Sequence, residues 1–254
     1  MFLRLFFILF LSFCSQLHAG YILIPMGPEE QSQHLKAYGI TYWVIEQNIK
    51  AQWLLNYRGG SFLIPDVESV RRECRIRGVD FELISDQEAA QILTYISSPS
   101  QNMEAIQLEK APKVAVYAPP GMQPWDDAVT MVLTYAEIPF TTIYDKEVLG
   151  DELLLYDWLH LHHEDFTGQY GKFYRAYRMA PWYLEQKKEA EFLAQSLGYN
   201  KVSQAKRDVA LKIRDYVIGG GFMFAMCSAT DSFDIALAAQ NVDICESMFD
   251  GDPS

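Results

Sequence analysis

The chain has 254 residues, half of them hydrophobic, with 33 acidic against 21 basic side chains and a formal net charge of −12 at pH 7. That length supports one large or two small domains with a true core, and so acidic a surface argues against nucleic acid and anionic lipid as partners. Beyond the first residues no stretch approaches the about 20 apolar residues of a membrane span.

Residues 1–19 carry one positive charge at Arg4, an apolar run over 5–13, the polar pair Ser15-Gln16, and Ala19 as a small residue before Gly20. This is the pattern of a secretory signal, too short to span a membrane permanently. Phe13 is bulky where a lipid anchor at Cys14 wants a small residue, which argues against that anchor. The expectation is an exported protein, periplasmic or extracellular. Three cysteines follow, Cys74, Cys227 and Cys245, an odd number in a compartment that favours disulfides. At least one is unpaired in the chain, and a bridge from Cys227 to Cys245 would take Cys227 out of chemistry.

The predicted elements begin with a strand over 21–26, a helix over 32–48 and a strand over 52–57. The turn Arg58-Gly59-Gly60-Ser61 comes next, with backbone amides that suit an anion. A short strand over 62–64 leads to a helix over 66–77 stopped by Gly78, a strand over 81–84, and a helix capped by Ser85-Asp86 that runs to 96. Strands alternating with helices imply a small α/β unit over 20–98. Residues 99–112 are polar, hold two prolines and lack period, the composition of a linker.

A second unit, 113–254, restarts with a strand over 113–118 closed by Pro119-Pro120-Gly121. Pro124 opens a helix with Asp126 and Asp127 in its first turn and Trp125, Val129, Val132 and Ala136 on one face. A strand over 140–144 ends at Asp145, and one over 156–161 ends at His162-His163-Glu164-Asp165. Aromatics crowd 156–183, Trp158, Phe166, Tyr170, Phe173, Tyr174, Tyr177, Trp182 and Tyr183 among them, interleaved with glycines and with Arg175 and Arg178. Such an insertion is long enough to cover a crevice and offer flat rings and guanidinium donors to a small polar ligand, or it simply packs on its own domain. Ser203 caps a helix with Val209, Ile213 and Tyr216 on one stripe, and Gly219 ends it. The order is that of a doubly wound, mostly parallel sheet, whose ligands sit beyond the carboxyl ends of the strands.

The most informative segment follows. Phe222, Met223, Phe224 and Ala225 form an apolar run that breaks at Cys227, with Ala225 and Ala229 two residues to either side and a helix over 231–239 beyond. Small flanking residues are what a nucleophile elbow needs, because the strand turns sharply against the next helix and presents the central side chain. Against this stands a plain core cysteine, free cysteine being among the most buried residue types. On an extended chain His162 and Glu164 would share one side and His163 and Asp165 the other, so one histidine would face Cys227, take its proton and yield thiolate, with a neighbouring acid fixing the ring's tautomer. The same cluster gives two metal ligands easily but not a third and fourth, so neither metal nor cofactor is expected.

With these motifs in place, residues 113–239 resemble the class I glutamine amidotransferase-like superfamily, which includes the DJ-1/PfpI and ThuA-like branches. The runs Trp-Leu-Leu-Asn-Tyr-Arg-Gly-Gly-Ser-Phe at 53–62, Leu-His-Leu-His-His-Glu-Asp-Phe-Thr-Gly-Gln-Tyr-Gly-Lys-Phe at 159–173 and Phe-Ala-Met-Cys-Ser-Ala-Thr-Asp at 224–231 are more closely similar to a group of exported bacterial proteins often given the label asparagine synthetase B. The amino-terminal catalytic cysteine and Ser-Gly-Gly-x-Asp-Ser loop of such a synthetase do not occur here. The residues themselves offer His162 or His163 with Glu164 as proton partners and Asp165 and Asp231 on the ligand side; the resemblance implies a flavodoxin-like sheet, Cys227 as nucleophile, and Ser228 N–H and Gly121 as oxyanion donors. It implies thiol-dependent hydrolysis of an amide in a small polar ligand. Two alternatives are a binding module that keeps the crevice without the chemistry and, behind both, a metal-dependent hydrolase built on His162, His163 and Glu164. Amidotransferases carry Gly-x-Cys-x-Gly and a histidine downstream of the cysteine; here the glycines are alanines and no histidine follows Cys227. Only 241–254 follows the last helix, so an incomplete sheet with an exposed apolar edge, prone to self-association, is expected.

Overall fold

A computed structural model describes residues 20–120, 128–169 and 171–253. The signal pattern, Gly121, the start of the helix opened by Pro124, and Tyr170 lie outside these described residues. The chain divides into two compact units, Met1–Lys110 and Ala111–Ser254. Among the described residues no helix is long and apolar enough to cross a membrane.

In the first unit, β1 (Tyr21–Ile24), β2 (Ala51–Leu55), β3 (Ser61–Pro65), β4 (Glu82–Ile84) and β5 (Glu104–Leu108) form one sheet in the order β4-β1-β3-β2-β5. Helices α1 (His34–Glu46) and α2 (Glu68–Arg77) cover one face, where Ile40, Val44, Val70 and Cys74 pack on Ile22, Ile24 and Ile64. Helix α3 (Asp86–Ile96) covers the other, with Ala89 and Ile96 on Leu23, Leu54 and Leu63. Both faces are buried, so β1 and β3 are apolar at successive positions instead of alternating. Gly78 ends α2 in the left-handed region at φ 67°, and Ser85 with Glu88 closes a capping box on α3.

The strands of this unit pair antiparallel throughout, the tight loop 56–60 folding β2 directly back on β3. Two expectations for this unit are corrected. The stretch 99–112 is not all linker: Glu104–Leu108 adds to β2 as an edge strand, a five-residue run with no regular alternation, set among polar residues and prolines. The 58–61 turn holds its groups inside the fold. Gly60 and Ser61 amides donate to the Tyr57 carbonyl at 3.0 Å, and the Arg58 guanidinium reaches Glu30 at 2.5 Å and Glu82 at 2.6 Å.

The second unit is a parallel sheet of β6 (Val114–Tyr117), β7 (Phe140–Ile143), β8 (Trp158–Leu161) and β9 (Phe222–Ala225), in the order β7-β6-β8-β9. One face carries α5 (Asp145–Leu149), α8 (Val202–Ile218) and α9 (Cys227–Ala238), with Val209, Ile213 and Phe233 packed on Tyr117, Leu159 and Leu161. On the other, α4, described over Ala128–Ala136, sets Leu133 against Val114 and Val116. The stripe Val209, Ile213, Tyr216 is buried as its spacing implies.

Helix α8 starts at Val202 with Lys201 at its cap, so Ser203 lies inside the first turn and not at the cap. Gly168, at φ 72°, packs on that turn so closely that a Cβ there would come within 2.7 Å of the Ser203 Cα. The aromatic stretch forms α6 (Gly171–Tyr177) and runs into α7 (Pro181–Ser196). Tyr183 is buried, and Tyr174 meets both Tyr183 and Phe249 edge-on. Phe249 belongs to α10 (Ser247–Asp250); Lys201 ties this carboxyl-terminal segment down through Asp243, Asp250 and Asp252 at 2.8–3.2 Å.

Candidate functional site

Cys227 stands where β9 gives way to α9. Met226 is extended at φ −130°, and Cys227, the first residue of α9, has φ 49°, a left-handed conformation that a non-glycine residue holds at a cost of about 1–3 kcal/mol. Ala229 is completely buried against the sheet and Ala225 half-buried, as an elbow flanked by small residues requires. Of the three cysteines among the described residues, all free, Cys227 alone is exposed. Burial pushes the thiols of Cys74 and Cys245 up to about 12. No bridge joins Cys245 to Cys227; its sulfur lies 3.7 Å from the Gly168 carbonyl.

The parallel register sets Leu161 beside Ala225, which lays the segment after β8 along the start of α9. Met226 N–H donates to the Leu161 carbonyl at 3.0 Å and Ala229 N–H to that of His162 at 3.3 Å. The hydroxyls of Ser228 and Ser232 donate to the carbonyls of His163 and Glu164 at 3.2 and 2.7 Å. The opening turn of α9, whose amides have no partner within the helix, is thereby bound to the His162–Glu164 run.

The expected division of side chains does not hold. The His162 and His163 rings meet, Nδ1 to Nδ1 at 3.0 Å with centroids 4.4 Å apart, because the chain leaves the extended conformation after Leu161 and bends at His163. One of the two Nδ1 atoms must carry the proton in that bond. Glu164 is buried, and its carboxylate accepts the His162 backbone N–H at 2.9 Å. Asp165 takes Thr167 N–H and O–H on one oxygen and Gln169 N–H on the other, at 2.5–3.0 Å, so it shapes the loop that follows. Ser228 is half-buried in the first turn of α9 and Asp231 exposed one turn on. Gly121 is outside the described residues, which include no group of three His, Cys, Asp or Glu placed to hold a metal.

Two features escaped the sequence reading. His160, buried on β8, stacks on Phe224 at 5.6 Å and lies 6.5 Å from the His162 ring, so three histidines line the β8 end. Beside them, at the ends of β6 and β7, lies a buried polar cluster. Lys206 Nζ donates to Tyr117 and Tyr144 hydroxyls at 2.9 and 3.0 Å and to Asp145 Oδ1 at 2.9 Å, while the Tyr117 hydroxyl also donates to Asp145. Burial works against the Lys206 ammonium, but Tyr144 and Asp145 more than offset it and hold the group above the ordinary lysine value. Burial raises both tyrosines, Tyr117 strongly. The signal was present: Lys206 lies three residues before Val209, on the stripe that Ile213 and Tyr216 continue, and a lysine there must be buried with partners.

Comparison with protein families, with curated proteins and with solved structures returned no match.

Proposed function

We propose that the second unit is a flavodoxin-like, glutamine amidotransferase-like domain that hydrolyses an amide through Cys227. The observation that carries the reading is the exposed cysteine at φ 49° on a strand-to-helix junction, a strained conformation of the kind that persists at functional sites. The order β7-β6-β8-β9, which is 2-1-3-4 in the unit's own chain order, agrees with a doubly wound sheet binding its ligand at the carboxyl edge.

In this mechanism His162 or His163 takes the thiol proton, and the sulfur forms a bond to the amide carbon. The oxyanion is met by Ser228 N–H and, by resemblance, by the Gly121 loop. The C–N bond breaks as the histidine returns its proton to the leaving amine. Water, deprotonated by the same base, then cleaves the thioester, releasing a carboxylic acid and restoring the thiol. Glu164 acts one step back, holding the His162 backbone rather than the ring.

A second reading is a non-catalytic module that recognises a small polar ligand through aromatic surface, favoured by Tyr177 and Trp182, both nearly half exposed with their rings 5.3 Å apart. We also propose that the protein is exported by way of residues 1–19, and that it self-associates through the β9 edge.

Alkylation separates the first two readings. Hydrolysis requires Cys227 to react with iodoacetamide at pH 7 at least about tenfold faster than free cysteine, as an activated thiolate does, with Cys74 and Cys245 protected. Peptide mass mapping against time measures this. A rate equal to that of free cysteine leaves the binding module.

A further inference from the structure

The Lys206 cluster lies at the carboxyl edge of the parallel sheet, where a doubly wound fold binds its ligands. Tyr117 ends β6, Tyr144 and Asp145 follow β7, and Lys206 is in the second turn of α8, which runs back from the carboxyl edge to enter β9. Glu164, from the end of β8, is near enough to both tyrosines to act on their ionisation. Within the cluster every side-chain donor but one is used. Lys206 spends three donors on three oxygens, and Tyr117 gives its proton to Asp145. The Tyr144 hydroxyl accepts from Lys206 at 3.0 Å, and the same ammonium lies 4.2 Å from the Tyr144 ring centroid, yet the O–H itself has no acceptor among the described residues. A phenol that accepts from a cation is a polarised, stronger donor, and burial keeps it protonated.

We propose that the Tyr144 hydroxyl, held by Lys206, is a ligand-binding donor that takes a second, neutral carbonyl oxygen of the amide whose first carbonyl is attacked at Cys227. The proposal rests on the Cys227 reading for its substrate. The ends of β7 and β9 are three strand spacings apart, about 14 Å, so Tyr144 cannot serve the oxyanion at Cys227 and must read another part of the ligand. Neutrality follows from the charges. Lys206 and Asp145 cancel, Glu164 is a buried carboxylate close by, and the chain is acidic overall, so a carboxylate on the ligand would be repelled where an amide carbonyl is not. The substrate class is therefore peptide-like, with two carbonyls a few bonds apart.

Paired affinity labels test this on the full chain. Bromoacetyl derivatives of glycinamide, β-alaninamide and 4-aminobutyramide alkylate Cys227, the sulfur bonding to carbon as bromide leaves, and each is paired with an alkyl bromoacetamide of equal length. Within a pair the thiol's own reactivity cancels, so the ratio reports the second carbonyl alone, while absolute rates against free cysteine report the Cys227 reading separately. At one spacing the amide should label about fivefold faster than its alkyl partner, the size of one hydrogen bond. Tyr144→Phe should bring that ratio to one while leaving the alkyl rate unchanged, and the matching carboxylate label should be slower than the amide. A ratio of one at all three spacings in the wild-type chain overturns the proposal whether or not the variant folds. So does an advantage that survives in folded Tyr144→Phe.

Discussion

The backbone of Cys227 makes a quantitative demand on the residue that occupies it. At φ 49° a Cβ is strained and a glycine is not. Cys227→Gly should therefore be more stable than Cys227→Ala by about 1 kcal/mol, although glycine is the poorer helix former. Urea unfolding of the two variants measures this directly, and an alanine variant equal to or better than glycine would mean the conformation is unstrained. Neither variant retains a thiol, so the comparison isolates the geometry from the chemistry. The same residue shows what the sequence could yield. Ala225 and Ala229 pointed to the junction because close packing there leaves no room for more than a methyl group, and Ala229 is fully enclosed. The histidines were placed wrongly because alternation applies only while the chain stays extended, and it bends at His163, two residues beyond the end of β8.

At the scale of elements, periodicity located β1, α1, α2, α3, β6, β8 and α8 to within a few residues, since each buries a regular stripe. It failed where an element is short, as at β5, and it placed the α8 cap two residues late, at Ser203 instead of Lys201. It also passed over the one polar residue on the α8 stripe, although Lys206 joins that helix to the ends of β6 and β7. That pairing makes a further prediction. Lys206→Met leaves Asp145 as an uncompensated buried carboxylate and should destabilise the second unit by about 3–5 kcal/mol. Removing both charges together, as Lys206→Met with Asp145→Asn, should recover a large part of that loss, because desolvation of a lone ion, not loss of attraction, dominates. Thermal unfolding of the single and double variants tests it; a double variant as unstable as the single would show that the cluster acts through packing of the lysine stem.

At the scale of the whole molecule, the two units manage their sheets differently. The first buries both faces of an antiparallel sheet between helices. In the second, β9 is an edge strand. Phe222 and Met226 donate their amides to β8, so the amides of Met223 and Ala225 face away from the sheet. On the face opposite α8 and α9, Phe222 and Phe224 are about half exposed, at 58% and 47%, beside a run of backbone donors and acceptors of the kind that templates strand pairing. The strand carries no charge, proline or bulge to blunt it. Self-association through this edge should therefore appear as a sedimentation coefficient that rises with concentration over about 1–100 μM, a range that spans weak to moderate interfaces. Phe222→Lys adds the charge that natural edge strands use, at a position whose ring only touches Trp158 edge-on at 6.0 Å. It should hold the protein at the monomer value over that range, with Cys227 alkylation unchanged. A wild-type chain already monomeric at 100 μM would show that the β9 edge does not template pairing, and an oligomer unmoved by Phe222→Lys would place the contact elsewhere on the surface.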